Sequence, residues 1–180
     1  EHGLVTPVDF LHRVIRQRLL QCLHHLVGNG IEELLDHAAL VRLSQKFHLP
    51  ILADEAVADA SDMYNLSAAG FSGAVALKIA KAGGPAQALK QAAVAQAAGI
   101  GLYGGTLLEG TIGTVAALHA WSNLETLHWG TEMFGPLLMK DDIVEKPLSF
   151  HDNGVDLPQG PGLGVTLNED KLAEYSRKDQ

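Results

Sequence analysis

The sequence has little cysteine, little charge and no long apolar run, and each absence excludes a class of protein. Cys22 is the single cysteine in 180 residues. This excludes an internal disulfide framework and a multi-cysteine zinc site, and it fits a reducing compartment. Charged residues make up only 19% and hydrophobic residues 47%, which excludes disorder for most of the chain and suffices for one domain with a sizeable core. No apolar run approaches the roughly 18–20 residues of a membrane span, so no membrane partner is expected.

An excess of positive charge is also missing. Thirteen basic and 21 acidic residues give a formal charge of −8, and no basic run is present. Such a chain is a poor binder of nucleic acid or anionic membranes. The opening residues, EHGLVTPVDF, lack the three regions of a signal peptide and an initiator Met, which fits a processed or cut end.

The first 50 residues predict helices. Apolar residues recur at helical spacing from Asp9 to Val27, and Gly28-Asn29-Gly30 ends this stretch. A second helical pattern covers Glu32 to Phe47 and closes before Pro50. His24-His25, within the first helix, does not have the i, i+4 spacing of a metal-binding pair.

From residue 51 onward, short apolar runs alternate with helical patterns. Strands are predicted at 51–53, 74–79, 100–103 and 127–129, and helices at 61–69, 85–98 and 111–120. Runs this short and apolar are typical of strands buried on both faces, as in a parallel sheet. Residues 139–180, which include a short strand-like segment at 164–167, are predicted to form a covering segment rather than a separate domain.

Charged residues lie at the ends of three predicted strands, where α/β folds place their sites. They are Asp54 with Glu55, Lys78, and Glu132. Lys78 lies in an otherwise apolar run, where its ammonium is costly to bury unless it is paired. It either extends to solvent at the strand end or acts as a general base with a lowered pKa beside a metal or carboxylate. Lys81 lies past the strand end and is expected to be solvated.

Asp54 and Glu55 directly follow their strand. Side chains of adjacent strand residues point to opposite faces, so at most one is a metal ligand unless the strand has already ended. The alternative is that they cap the next helix. A hard divalent cation beside a lysine base would suit proton abstraction alpha to a carboxylate.

Other candidate groups carry less information. Gly104-Gly105-Thr106 could bind an anion, but a Gly-Gly turn is non-specific. We interpret His119 and His128 as packing or surface residues, and Trp121 and Trp129 as core residues.

From Ile51 to Leu172 the chain resembles the C-terminal part of the muconate cycloisomerases, a family of the enolase superfamily. The stretches that carry the resemblance are ILADEAV, GAVALKIAKAGGP, AAGIGLYGGTLLEGTIGT, WGTEMFGPLLMKDDIV and PGLGVTLNEDKL. The resemblance implies a parallel α/β fold, a (β/α) barrel present here as a partial barrel of about strands 3–8, without the N-terminal capping domain. It would form one domain over 1–180, with a divergent helical part at 1–50, βα repeats at 51–138 and the covering segment at 139–180.

The resemblance also implies roles for individual residues. Lys78 matches the lysine that gives or takes the proton alpha to the carboxylate, and Glu132 the glutamate that helps hold the enolate-like intermediate. Asp54 matches a ligand of the divalent metal, Mn²⁺ or Mg²⁺, with Asp9 and Glu33 as the other candidate ligands. The pocket-lining loop that binds substrate is matched by Tyr103, Gly104, Thr106 and Glu109.

The N-terminal part departs from the family pattern. The residues after Asp9 read FLHRVIRQR where the family has a polar, Asn-containing loop. The expected Gln-Pro after the second ligand is missing, and Glu32 and Glu33 equally fit the first turn of a helix. No Lys-x-Lys motif precedes Asp54.

The implied function is reversible, metal-dependent conversion of cis,cis-muconate or a chloromuconate to a muconolactone, in bacterial catechol degradation in the cytoplasm. One alternative is a non-catalytic, truncated or degenerate relative. Another is a superfamily member with a different substrate, such as a dipeptide epimerase or an o-succinylbenzoate synthase. Since half a barrel leaves sheet edges open, we expect the chain to form a homo-oligomer or to associate with the missing barrel part. Its small-molecule partner would be a dicarboxylate.

Overall fold

A computed structural model describes residues 37–151 and 154–176, which form a small parallel sheet with helices and a C-terminal tail. The elements in chain order are α1 (His37–Lys46), β1 (Leu52–Ala53), α2 (Ala60–Ala68), β2 (Ala74–Leu77), α3 (Ile79–Ala82), α4 (Pro85–Ala97), β3 (Gly101–Gly104), α5 (Thr111–Trp121), a 3₁₀ turn (Gly135–Leu138), β4 (Phe150–His151), β5 (Gly154–Val155) and α6 (Glu169–Tyr175). The helix predicted at 9–27 and the first residues of that at 32–47 lie outside the described residues. α1 confirms the later part of the second helix.

The sheet has the order β1-β2-β3, and both pairings are parallel. Leu52 pairs with Ala74, and Ala74 pairs with Gly101. The prediction of neighbouring parallel strands in chain order is therefore confirmed for these three. α2, α3 and α4 lie in the connections between them, as parallel neighbours require.

The predicted strand at 127–129 is wrong. Gly130 has a φ of 68°, in the left-handed region, and this interrupts the extended backbone. Only Thr131, beyond the predicted strand, forms an isolated parallel bridge, to Gly104 at the end of β3. The chain still passes beside β3 in the expected order, but hydrogen bonds such as Trp129 N to Leu102 O (3.1 Å) replace a regular ladder.

Residues at the N-termini of α2 and α4 explain where these two helices begin. The carboxylate of Asp59 caps α2 by accepting from the backbone N–H groups of Ser61 and Asp62. This corrects the alternative that Asp54 and Glu55 cap that helix. Pro85 at the start of α4 supplies a backbone already fixed for a helix.

The strands place their residues alternately on two faces. Val75, Leu77 and Leu102 are fully buried in the apolar core against the helices. The residues between them, including Ala76 and Tyr103, lie on the opposite face. Lys78 still has an extended backbone (φ −132°, ψ 121°), so the alternation places its side chain on the face of Ala76, away from the helical core.

The C-terminal tail is attached to the sheet domain by polar contacts. Its predicted strand at 164–167 is reduced to a single antiparallel bridge, between Val144 and Leu167. His119 on α5 is hydrogen-bonded through Nε2 to the carbonyl of Leu163 (3.1 Å). Within the described parts of the chain, no helix is long and apolar enough to cross a membrane.

Candidate active site

A group of four charged side chains lies where β1 and β2 end. The ammonium of Lys78 donates to Asp54 Oδ2 (2.7 Å) and to Glu55 Oε1 (2.9 Å). Its side chain is only 7% exposed, so the interpretation that Lys78 extends to solvent is wrong. Because β1 has ended at Ala53, the adjacent carboxylates of Asp54 and Glu55 can both face the same lysine.

Lys81 is the fourth member of this group, and sequence reasoning missed it. Its side chain is 10% exposed, which corrects the prediction that it is solvated. Nζ donates to Asp54 Oδ1 (3.0 Å) and to the carbonyls of Asp54 (2.6 Å) and Ala76 (3.2 Å). The sequence feature that could have revealed this position is the i, i+3 spacing of Lys78 and Lys81, because one turn of α3 brings the second lysine back to the strand ends.

Mutual contact shifts the pKa values of these groups. Burial alone would raise the pKa of Asp54, but hydrogen bonds from both lysines outweigh it and leave that pKa lowered. Burial lowers the pKa of Lys78, but its two carboxylate partners outweigh this effect and the net shift is upward. Burial dominates for Lys81, and the nearby charge of Lys78 adds to it, so the pKa of Lys81 is lowered.

Gly105, the residue after β3, packs against the aliphatic part of the Lys78 side chain. Gly105 donates its N–H to the carbonyl of Leu77 (2.9 Å). A Cβ at Gly105 would lie 3.1 Å from both Cγ and Cε of Lys78. The absence of a side chain at Gly105 therefore leaves room for the extended lysine.

Tyr103, in β3, lies near Glu132. Burial of the Tyr103 hydroxyl raises its pKa, and the nearby Glu132 carboxylate raises it further. Asp54 adds a smaller contribution of the same sign, so the field of the β1 carboxylate extends to this tyrosine. Glu132 itself directly follows Thr131, the residue that bridges to β3.

The predicted substrate loop is largely engaged with itself. The carboxylate of Glu109 accepts from the hydroxyl of Thr106 and from the N–H of Leu107 (2.8 Å). Leu108 between them has a positive φ of 64°, uncommon for a side chain of its size. Gly104 is packed so closely against Thr131 that a Cβ would meet Thr131 Oγ1 at 2.6 Å. Two of the four loop candidates face Glu132: the hydroxyl of Tyr103 lies near its carboxylate, and the carbonyl of Gly104 accepts from its backbone N–H (3.1 Å).

Of the three candidate metal ligands, one lies within the described structure. Asp54 is described, but Asp9 and Glu33 lie outside the described residues. Between 37 and 176, leaving out 152–153, no group of three or more His, Cys, Asp or Glu side chains could hold a metal ion. Asp54 thus supplies one carboxylate of the kind that Mn²⁺ or Mg²⁺ takes, at the correct end of the sheet, but not a complete site by itself.

The two tryptophans and two histidines considered in the sequence lie outside the charged group. Trp121 is buried in the core, as predicted, but Trp129 is 38% exposed, so its assignment to the core is wrong. Trp129 and His128 instead line a cavity of about 570 Å³ near the N-terminal end of β3, away from the charged group. His119 packs against the tail.

The site can hold a proton donor, the ammonium of Lys78, in contact with the carboxylates of Asp54 and Glu55 and largely shielded from water. Lys78 is a buried ammonium at the carboxyl end of a parallel strand, with acceptors on one side and the small residues Ala76 and Gly105 along its stem. These are the elements needed to move a proton at a carbon next to a carboxylate.

Comparisons with known proteins identify the family of this chain. Residues 8–171 match the family described as Enolase C-terminal domain-like. Muconate cycloisomerase 1 of Pseudomonas putida is 48% identical over 159 residues, covering 85% of this chain and 42% of that protein. A chloromuconate cycloisomerase of Cupriavidus necator is 43% identical over 139 residues, covering 77% of this chain and 38% of that protein.

A solved structure is also similar. The muconate lactonizing enzyme of Klebsiella pneumoniae superposes with a TM-score of 0.78 at 69% identity, over 81% of this chain and 41% of that one. The chain thus spans about two fifths of the length of the relatives it matches. This agrees with the partial barrel predicted from the sequence. Because the family model matches most of its length, the chain belongs to the Enolase C-terminal domain-like family, and the relatives that it resembles are muconate and chloromuconate cycloisomerases.

Proposed function

We propose that this chain carries the acid–base part of a muconate cycloisomerase, which interconverts cis,cis-muconate or a chloromuconate with the corresponding muconolactone. The observation that carries the proposal is Lys78, a buried ammonium in contact with Asp54 at the end of β2. The similarity to muconate and chloromuconate cycloisomerases supports the substrate class. A cytoplasmic enzyme acting on a small dicarboxylate is part of the same proposal.

The chemistry moves one proton from Lys78 to the substrate: dianionic muconate becomes a monoanionic lactone, and neutral Lys78 then takes a proton back from water. One carboxylate oxygen of muconate adds to the double bond conjugated to the other carboxylate, and the electron pair shifts onto that second carboxylate as an enolate. Lys78 then donates its proton to the carbon alpha to this carboxylate. In the reverse direction neutral Lys78 removes that proton as the lactone C–O bond breaks. The raised pKa of Lys78 in the absence of substrate favours the donor form.

Glu132 and Tyr103 form the second element of the proposed site. The Glu132 carboxylate lies close enough to Tyr103 to raise the pKa of its hydroxyl, at the end of the segment beside β3, where it would help orient the enolate-like intermediate. Gly104, Thr106 and Glu109 stay in the proposal as the loop that forms the pocket wall. Thr106 and Glu109 bind each other within the loop, and Gly104 binds the backbone of Gly130 and Glu132, so we assign all three shape rather than charge recognition.

Asp54 is proposed as one ligand of a divalent cation, with Asp9 and Glu33 as the candidates that would complete the set. A bound cation would supply positive charge for the enolate oxygens. The Asp54 carboxylate, whose pKa is lowered, is ionised at neutral pH as a ligand must be.

The test is turnover of muconate with added Mn²⁺, followed by the loss of its conjugated-diene absorbance. Lys78→Ala should remove turnover, whereas Lys90→Ala, at an exposed position on α4, should not change it. We expect the 180-residue chain alone to turn over muconate far more slowly than a complete relative, because it spans about two fifths of such proteins. Turnover that survives Lys78→Ala would remove Lys78 from the catalytic role.

An assembly is part of the proposal. Within the described residues β1 has a strand neighbour on one side only, and Leu52 on this edge is 39% exposed. A sheet edge that no other part of the chain covers would favour pairing with another chain. We propose a homo-oligomer, or association with the part of the barrel that these 180 residues do not span. A stable, monodisperse 19.2 kDa monomer in sedimentation experiments would contradict this.

A further inference from the structure

The two lysines that bind Asp54 differ in what else they bind. Lys78 donates only to carboxylates, one of which, Glu55, is 61% exposed. Lys81 donates to one carboxylate oxygen and to two backbone carbonyls, those of Asp54 and Ala76. These three acceptors use all three N–H bonds of its ammonium. Lys81 is therefore fixed to the backbone of both strand ends, whereas Lys78 is held by side chains alone.

We propose that Lys81 is a positioning residue, which fixes the orientation of the Asp54 carboxylate and leaves Lys78 as the lysine that moves its proton. Lys81 binds Oδ1 and the carbonyl of the same residue, so it restrains Asp54 at two points. Oδ2 then faces Lys78. The consequence for metal binding rests on the proposed function, but the restraint on Asp54 does not.

Substitution by methionine separates this role from a simple electrostatic one. Lys81→Met keeps most of the buried stem and removes the ammonium. If Lys81 were only a nearby positive charge, its removal would strengthen cation binding at Asp54, because a repulsion is lost. If Lys81 positions Asp54, removal lets the carboxylate turn toward Lys78 and weakens cation binding. Loss of groups that orient a metal ligand typically costs about 10–100-fold in metal affinity.

The experiment compares Lys81→Met with Lys90→Met in the full chain by titration with Mn²⁺, followed by electron paramagnetic resonance of the free ion. Lys90→Met removes the same charge from an exposed position on α4 and controls for net charge. We expect Mn²⁺ to bind about tenfold or more weakly in Lys81→Met than in Lys90→Met. Lys81→Arg, which keeps the charge and donors, should recover part of this loss. Equal or tighter binding in Lys81→Met would overturn the proposal.

Crystal structures of the two methionine variants provide a readout without metal. We expect the Asp54 carboxylate to rotate away from its present position in Lys81→Met and to stay in place in Lys90→Met. An unmoved Asp54 would overturn the proposal. If Lys81→Met does not fold, Lys81→Gln carries the same two measurements with the same required results. If the unmodified chain binds no Mn²⁺, the proposed metal site fails, and the position of Asp54 still decides the role of Lys81.

Discussion

Lys78 Nζ lies 2.7 Å from Asp54 Oδ2, and this partly buried ion pair joins the ends of two neighbouring parallel strands. The two residues are 24 positions apart in the chain, and the intervening helix α2 brings them together. Lys81 binds the other oxygen of the same carboxylate. Asp54 is therefore the residue on which both lysine charges depend.

The first prediction is that Asp54→Asn destabilises the chain more than Lys78→Met. Asn at position 54 leaves two buried ammonium groups without a full carboxylate partner, apart from the exposed Glu55. Met at position 78 leaves Asp54 with Lys81 and with solvent, since its side chain is 35% exposed. Removing the partner of a buried charge costs about 3–5 kcal/mol, and solvent reduces this where a group is partly exposed.

Urea unfolding of both variants checks this order, with Lys90→Met as the control. The control should stay within about 0.5 kcal/mol of the unmodified chain. We expect Asp54→Asn to exceed Lys78→Met by about 1 kcal/mol or more, a fraction of the cost of an unpaired buried charge. The reverse order would mean that Lys81 does not depend on the Asp54 carboxylate.

The strands that the sequence predicted well are those whose residues are buried on both faces. All four residues of β2, Ala74–Leu77, are buried, so a continuous apolar run was a sufficient signal. The prediction of a strand at 127–129 was wrong because these residues form a turn that leads into Gly130. A short apolar run shows that residues are suited to packing, but it does not reveal their backbone conformation. The end of the sheet where the site lies followed from strand direction alone.

The internal contacts of the site could be predicted only in part. Lys78 and Asp54 were visible as charges at strand ends. The pairing of Lys78 with Glu55 depends on the residue at which β1 ends, and the burial of Lys81 depends on the direction in which α3 turns. Both are set by packing between elements that are distant in the sequence. For the same reason the sequence did not reveal that Glu109 is bound to Thr106 within its own loop.

A second prediction concerns Gly105. Alanine at this position would place a methyl group 3.1 Å from Cγ and Cε of Lys78 and 3.4 Å from the carbonyl of Leu77. The lysine stem must then shift, and we expect its contacts with Asp54 and Glu55 to lengthen in a crystal structure of Gly105→Ala. A displacement approaching 1 Å at a catalytic group can cost about 100-fold in rate, so turnover should fall together with this shift.

Gly154→Ala is the matched control for this substitution. A Cβ at Gly154 would meet only the carbonyl of His151, at an ordinary 3.6 Å. This variant should leave both the position of Lys78 and the stability unchanged. An unmoved Lys78 in Gly105→Ala would show that the neighbouring backbone, not the lysine, yields to the methyl group.

A third prediction concerns the start of α5. Gly110 precedes this helix and offers no side chain to cap it. Asp142 from the tail supplies the acceptor instead, with Oδ2 2.7 Å from Thr111 N and Oδ1 2.7 Å from Ile143 N. Asp142→Ala should lower the free energy of unfolding by about 0.5–2 kcal/mol, as loss of a helix cap does.

Asp142→Asn separates the hydrogen bond from the charge in this cap. Asn keeps one oxygen acceptor and loses the negative charge that favours a helix N-terminus. We expect a loss smaller than that of Asp142→Ala in thermal and urea unfolding. Equal losses for the two variants would mean that the charge, rather than the hydrogen bond to Thr111, stabilises α5.

The last prediction concerns the hydroxyl of Tyr103 at high pH. Burial and the Glu132 carboxylate raise its pKa above the ordinary value of 10.0. The folded state therefore keeps the proton at a pH where the unfolded chain releases it. The associated stability is fully present below pH 10 and is lost as the pH rises toward the folded pKa. Tyr103→Phe should remove this part of the alkaline loss of stability.

Phenolate absorbance gives a direct measurement of this proton. In concentrated urea all three tyrosines of the chain should titrate near pH 10, so Tyr103→Phe should lose about one third of the amplitude. In the folded chain, Tyr103→Phe and the unmodified protein should give the same curve until unfolding begins, because Tyr103 stays protonated. If Tyr103→Phe instead lowered the amplitude of the folded chain near pH 10, the hydroxyl would face solvent. It would then be available to a substrate carboxylate, and the placement of Tyr103 beside Glu132 in the proposed site would be wrong.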